Sequence, residues 1–117
     1  MTSLELATKI AQSLDDKKAK NINVLDVSKV TSLGDYFVIA AGNSSTQVHA
    51  LADSVEAKLK EEGVEPVSVE GYRSEGWIIL DYASVLVHVF TQQSRDFYDL
   101  DRLWSDGTKV DIEYNIN

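Results

Sequence analysis

The stretch from Gly34 to Leu59 constrains the fold more than any other part of the chain. Tyr36-Phe37-Val38-Ile39-Ala40-Ala41 is an unbroken apolar and aromatic run, with Gly34-Asp35 before it and Gly42-Asn43-Ser44-Ser45 after it. Such a run between turn signals predicts a buried strand. The period then changes. Val48, Leu51, Ala52, Val55 and Leu59 recur at three- and four-residue steps, which puts them on one side of a helix. Ser44 and Gln47 have the spacing of a capping box, with Ser44 accepting the Gln47 N–H and Gln47 reaching back. Gly63, after Glu61-Glu62, suits the left-handed position that ends a helix. A strand, a tight polar turn and a packed helix in direct succession form a framework for the other elements.

Thr2-Ser3-Leu4-Glu5 reads as a second capping box. It opens an amphipathic helix with Leu4, Ala7, Ile10, Ala11 and Leu14 inward and Lys9, Gln12 and Asp15 outward. Asp16-Lys17-Lys18-Ala19-Lys20 reads as a solvated exit, with a basic docking spot as the alternative. Asn23 to Val27 predicts a short strand. Glu65 to Gly71 alternates and predicts another, with Pro66 at its start or on a sheet edge. Trp77–Tyr82 and Val85–Phe90 suggest a hairpin around Ala83-Ser84. A two-residue loop sets Trp77 opposite Phe90, Ile79 opposite His88 and Asp81 opposite Leu86. Ala-Ser is a weak signal for a type I′ turn, and a three-residue loop changes every partner. Ile78, Leu80, Val85, Val87, Val89 and the Tyr82 ring then share the other side, which should lie under helices. Ser94 to Trp104 predicts one helix, with Phe97, Leu100, Leu103 and Trp104 inward and Arg95, Asp96, Asp99 and Arg102 outward. After Asp106-Gly107, Val110–Tyr114 reads as a last strand or an extended tail. The order predicts a single α/β domain with a mixed β-sheet packed with helices. Its core spans about residues 4–104, followed by an extension over 105–117.

Composition narrows the function. Nineteen acids against 11 bases give a formal charge of −8, so the chain repels nucleic acid phosphates on average. Near nucleic acid, its direct contact is expected to be a basic protein. With no cysteine there is no disulfide and no thiolate metal site. No apolar run approaches the ~20 residues of a membrane helix. No secretory pattern opens the chain, and the expected address is cytoplasmic.

Gly42-Asn43-Ser44-Ser45 joins a strand to a helix N-terminus, a place that favours anions. It lacks the Gly-Lys-Ser/Thr of a P-loop and the spacing of a dinucleotide fingerprint, and a tight turn with a good N-cap explains it more simply. His49 falls beside the apolar stripe of its helix and reads as a surface residue. His88 lies in a strand among large apolar groups, within reach of Trp77 or Asp81, and suits a structural role better than acid–base work. Two separated histidines make a zinc site poor. Asp99 and Asp101 resemble a magnesium-binding pair, yet residues two apart on a helix point about 200° from each other. Ser44, His88 and Asp81 compose a triad on paper without a nucleophile-elbow sequence. What remains is aromatic and acidic. Trp77, Tyr82, His88, Phe90, Phe97, Tyr98 and Trp104 are interspersed with Glu70, Glu75, Asp81, Asp96, Asp99 and Asp101. Aromatics supply anchors and carboxylates a rim for a basic partner. Packing should draw Trp77 and Phe90 into the core and leave Tyr98 beside the polar face of its helix.

Several blocks occur in one order: Asp35-Tyr36-Phe37-Val38-Ile39-Ala40, Gly42-Asn43-Ser44-Ser45-Thr46-Gln47-Val48, Glu70-Gly71, Gly76-Trp77-Ile78-Ile79-Leu80-Asp81-Tyr82, Val87-His88-Val89-Phe90 and Arg95-Asp96-Phe97-Tyr98-Asp99-Leu100-Asp101-Arg102-Leu103-Trp104. In these blocks, and in register from about Leu4 to Trp104, the chain resembles the Iojap family of ribosomal silencing factors. The resemblance implies a nucleotidyltransferase-like topology without the enzymatic activity, and no cofactor. It implies binding to a basic ribosomal protein, the fourteenth of the large subunit, at the intersubunit face. The bulk of the bound factor would keep the small subunit from joining and repress translation when nutrients are scarce, as in stationary phase. Little direct nucleic acid contact, no membrane and a homodimer are compatible with it. The partner-binding residues implied are Trp77, Asp81, Tyr82, His88, Arg95, Tyr98, Asp99 and Leu100. Ala83 departs from the glycine that relatives often carry in the hairpin. The alternative is a nucleotide-binding or nucleotidyltransferase-like enzyme using the Gly42–Ser45 turn.

Overall fold

The computed structural model describes residues 1–74 and 76–114. Glu75, counted above among the acids, and residues 115–117 lie outside them. The elements run α1 (Ser3–Asp16), β1 (Lys20–Asp26), β2 (Tyr36–Gly42), α2 (Ser45–Lys60), β3 (Ser68–Glu70), β4 (Trp77–Asp81), β5 (Val85–Thr91), α3 (Gln92–Tyr98), α4 (Leu100–Leu103) and β6 (Thr108–Val110). The six strands form one sheet in the order β3-β4-β5-β2-β1-β6. Among the described residues only β2 and β5 run parallel, from Tyr36 opposite Val85 to Gly42 opposite Thr91, and the other pairs are antiparallel. The sheet is therefore mixed, as the order of the segments predicts.

β2 is the strand buried on both faces: every residue from Phe37 to Gly42 is buried. Its alternation divides the core. Val38 and Ala40 join Ile78, Leu80, Tyr82, Val85, Val87 and Val89 under α1 and α2, whose Val48, Leu51, Ala52, Val55 and Leu59 are all buried. Phe37 and Ile39 face the other way and meet Leu25, Val27, Phe90 and Leu100. Two long helices cover the first face. Only the short α3–α4 segment covers the second.

The caps hold with one change of partner. Thr2 and Glu5 close a full capping box on α1. Ser44 accepts the Gln47 N–H at 3.1 Å, but the Gln47 side-chain oxygen takes the Asn43 N–H rather than that of the cap. Gly63 has a φ of 75°, and the Val64 and Gly63 N–H groups return to the Leu59 and Lys60 carbonyls, a Schellman ending.

Other boundaries differ from expectation. On α1 Leu6 is buried and Leu4 is exposed. Lys20, expected in a solvated exit, starts β1, with left-handed residues at Lys18 and Asn21 and a register shift between Lys20 and Asn23. β3 is only Ser68–Glu70, leaving Pro66 ahead of it. β6 lies earlier than the predicted Val110–Tyr114 segment; Ile112 and Tyr114 instead pack, partly buried, against the first core. The predicted single helix over Ser94–Trp104 is two, because Asp99 takes a left-handed φ of 50°.

The hairpin has the two-residue loop: Trp77 pairs with Phe90, Ile79 with His88 and Asp81 with Leu86. Ala83 has a φ of 68°, and the Ser84 N–H donates to the Tyr82 carbonyl at 2.9 Å. This is the rare, strained form of the γ-turn. The Asp81 carboxylate supports it by accepting the Ala83 N–H at 2.7 Å. Relief of strain at a positive φ is worth about 1–2 kcal/mol, and the added freedom of glycine in the unfolded chain takes back roughly 0.5–1 kcal/mol. Ala83→Gly should therefore raise stability by about 1 kcal/mol, read as a higher urea midpoint. A lower midpoint contradicts this account of the turn.

Candidate partner-binding face

Strand alternation delivers Trp77 from β4, His88 and Phe90 from β5 and Phe37 and Ile39 from β2 to the thinly covered face. Their rings form a ladder from the core to solvent. Phe37 sits edge-on to His88 and to Trp104, at 5.1 Å in each case. Trp77 stacks on Phe90 at 4.8 Å and meets Tyr98 at 4.7 Å, and Tyr98 meets Phe97 edge-on at 5.1 Å. Inner rings fix outer ones. Tyr98 is 50% exposed and Phe97 80%.

Two polar groups hold this arrangement together. The indole N–H of Trp77 donates to His88 Nδ1 at 3.3 Å, so the neutral ring carries its proton on Nε2, which has no hydrogen-bond partner among the described residues. Burial pushes the His88 pKa down to about 4. Arg95 is buried too. Its Nε and Nη2 reach the two oxygens of Asp101 at 3.0 and 2.9 Å, and its Nη1 donates to the Asn21 carbonyl. Asn23 donates to Asp101 at 2.8 Å. Burial works to raise the Asp101 carboxyl, but the hydrogen bonds from Arg95 and Asn23 outweigh it and hold its pKa below the usual range.

The eight residues expected at a partner surface divide by depth. Tyr98 and Asp99 are exposed, and Trp77 and Asp81 are half-buried. His88, Arg95 and Leu100 are buried beneath them. Tyr82 lies on the opposite side of the sheet, under α1 and α2. Strand alternation sets the places of Tyr82 and His88, and the left-handed break at Asp99 goes with the differences in the C-terminal segment. Arg95 points inward instead of outward, while Phe97 and Leu103, expected in the core, are 80% and 70% exposed. On one continuous helix Arg95 and Asp101, six residues apart, would not be neighbours. Only the break brings them together. Asn21 and Asn23 carry no sequence signal of this role, because the bulge in β1 is what aims them.

The other candidates are engaged elsewhere. Asp101 gives both oxygens to Arg95, so it does not share an ion with Asp99, and no group of three or more His, Asp or Glu residues suited to a metal occurs among the described residues. Ser44 caps α2, Asp81 holds the Ala83 N–H and His88 accepts from Trp77, so these three form no triad. The Gly42–Ser45 turn borders a cleft of about 590 Å³, between the ends of β2 and β5, whose lining includes Asn43, Ser44, Ser94, Phe97 and Tyr98. Among the described residues no Lys or Arg lines it, so an anion there would have only hydroxyls and amides. His49 is more constrained than a free surface residue. Its Nδ1 lies 2.7 Å from the Ser45 carbonyl and its Nε2 contacts the Tyr72 carbonyl, two acceptors that favour the charged ring and raise its pKa.

The sign of the His88 effect follows from its lowered pKa. The unfolded chain binds the proton more readily, so stability is fully present above about pH 6.5 and falls as pH drops towards about 4. The loss should be on the order of 2–3 kcal/mol, and His88→Leu should flatten that part of a pH–stability profile measured by urea unfolding. A wild-type slope persisting in the variant would assign the effect to other groups.

Comparison with known proteins agrees with the geometry. The family model described as "Ribosomal silencing factor during starvation" matches residues 1–117. Two curated relatives named ribosomal silencing factor RsfS are similar to the chain. One, from Chromobacterium violaceum, is 45% identical over 100 residues, covering 86% of this chain and 82% of its own. The other, from Halalkalibacterium halodurans, is 35% identical over 113 residues, covering 97% of each. A crystal structure of a protein from Chromobacterium violaceum superposes with a TM-score of 0.87 at 42% identity, over 98% of this chain and 95% of that one. Whole-length matches in sequence and in fold together place it: the chain belongs to the RsfS (Iojap) family of ribosomal silencing factors.

Proposed function

We propose that this protein represses translation by docking on a basic protein at the intersubunit face of the large ribosomal subunit, where its bulk keeps the small subunit away. In this reading it works as a wedge, in the cytoplasm and under nutrient limitation, without a cofactor or a catalysed reaction. The charge of −8 favours a cationic protein over ribosomal RNA as the direct contact. Free protein could pair with a second copy through the same face and release it on the ribosome.

One observation carries the proposal. Asp99 occupies the left-handed position that ends α3, its N–H returning to the Arg95 carbonyl at 2.9 Å. Glycine fits such a position at lower cost, by about 1 kcal/mol. The Asp99 side chain makes no capping hydrogen bond to α4, and it is exposed. A carboxylate that costs stability and makes no side-chain hydrogen bond or ion pair among the described residues is suited to a contact outside the fold. Beside it Tyr98 offers a ring already braced by Trp77, and Trp77 and Asp81 extend the surface along β4. His88, Arg95 and Leu100 support that surface from beneath, and Tyr82 supports the sheet from its far side.

Purified protein should co-sediment with isolated large subunits at moderate salt and not with small subunits. Asp99→Asn keeps a residue that tolerates the left-handed backbone and removes only the charge. It should weaken binding roughly 10-fold, the worth of one charge-assisted hydrogen bond, and Asp99→Lys should weaken it further. Asp81→Lys should also weaken binding, though Asp81 braces the hairpin turn as well. Wild-type protein left in the supernatant would refute the reading, and unchanged affinity in all the variants would move the interface elsewhere.

A further inference from the structure

We propose that Arg95 and Asp101 are positioning residues, a clasp across the left-handed break that holds Tyr98 and Asp99 in presenting geometry without touching the partner. The inference rests on the reading that the partner docks at Tyr98 and Asp99, and it adds what makes that surface rigid.

Local forces do not hold the break. α3 has seven residues and α4 four, both far below the length at which an isolated helix persists in water. Asp99 makes no side-chain cap that would favour its backbone conformation. What spans the break is ionic and directional. Arg95 lies four residues before Asp99 and Asp101 two after it, and the guanidinium meets the carboxylate with two parallel hydrogen bonds. The third contact, Nη1 to the Asn21 carbonyl, and the Asn23 bond to Asp101 fasten both sides of the break to β1. β1 is in turn paired to β2, so the fastening is to the sheet.

Arginine is required by this geometry. Its planar fork supplies the paired bonds and the further N–H in fixed directions, and a lysine ammonium cannot reproduce them. Burial of the guanidinium, with 7% of its side chain exposed, keeps it from a docked partner. With the clasp open, Asp99 is free to leave the left-handed region and the Tyr98 ring to leave Trp77. Affinity then falls because the surface must be ordered on binding.

The test uses the full chain with Arg95→Lys and Asp101→Asn. Affinity for purified large subunits is measured by sedimentation. The proton shifts of the Tyr98 ring and the amide exchange of Asp99 and Leu103 are measured by NMR on the free protein. Both variants should bind at least 10-fold more weakly, with Tyr98 shifts moving towards those of free tyrosine and exchange at Asp99 and Leu103 at least 10-fold faster. Amides of β2 and β5 should keep their protection, which separates a loosened clasp from a damaged fold. Should Arg95→Lys fail to fold, Asp101→Asn carries the same comparison. Weaker binding with unmoved Tyr98 and Asp99 signals would mean that Arg95 contacts the partner, and it overturns the clasp. Moved signals with unchanged affinity overturn it as well. Wild-type protein that binds no large subunit overturns the ribosomal reading itself, and the presenting role falls with it.

Discussion

The pairing of β2 with β5 is the constraint from which the rest follows. Both are parallel neighbours at the centre of the sheet, and β2 is apolar along its whole length. A strand with no polar side must be covered on both faces. α1 and α2 meet that demand on one face with two long amphipathic stripes. On the other, among the described residues, lie α3 and α4, with eleven helical residues between them, and aromatic rings complete the cover. Thin cover is what brings rings to the surface there.

That face joins two needs in the same residues. Trp77 and Phe90 are packing groups, yet their stack also supports Tyr98, whose ring is half in solvent. His88 is a polar residue held neutral by burial because the indole of Trp77 gives it a donor and nothing nearby favours a charge. Arg95, by contrast, is buried with its N–H groups met by a carboxylate and a carbonyl. The groups of this face brace one another. Arg95 and Asp101 are spent on each other and His88 on Trp77, and the exposed carboxylate of Asp99 stands outside these contacts.

Elements whose stability is local were legible in the sequence. The β2 run and the α2 stripe with its glycine ending each follow from a period or a turn residue, the hairpin register follows only once its loop has two residues, and the Iojap-like blocks span them. The C-terminal helix was not legible as it folds. Its apolar spacing describes one continuous helix, and a left-handed aspartate in the middle has no strong signal, since aspartate is only modestly favoured there. That single backbone angle reverses the fates of Arg95, Phe97 and Leu103. In the same way the start of β1 was hidden in a lysine-rich run that reads as solvent-exposed, because β6 pairs only with Val24–Asp26 and the open side of the first β1 residues accepts charge. Pattern gave the layers, and tertiary pairing decided which residues of the thin face are exposed and which are buried.

The action proposed for the molecule is the occupation of space on the large subunit. Light scattering of large subunits mixed with small ones measures this directly. Preincubating the large subunits with the protein should lower the amplitude of joining in proportion to the fraction occupied, reaching its limit near one protein per subunit, with no nucleotide added. Full joining, with the protein still bound to the assembled ribosomes, would contradict the account.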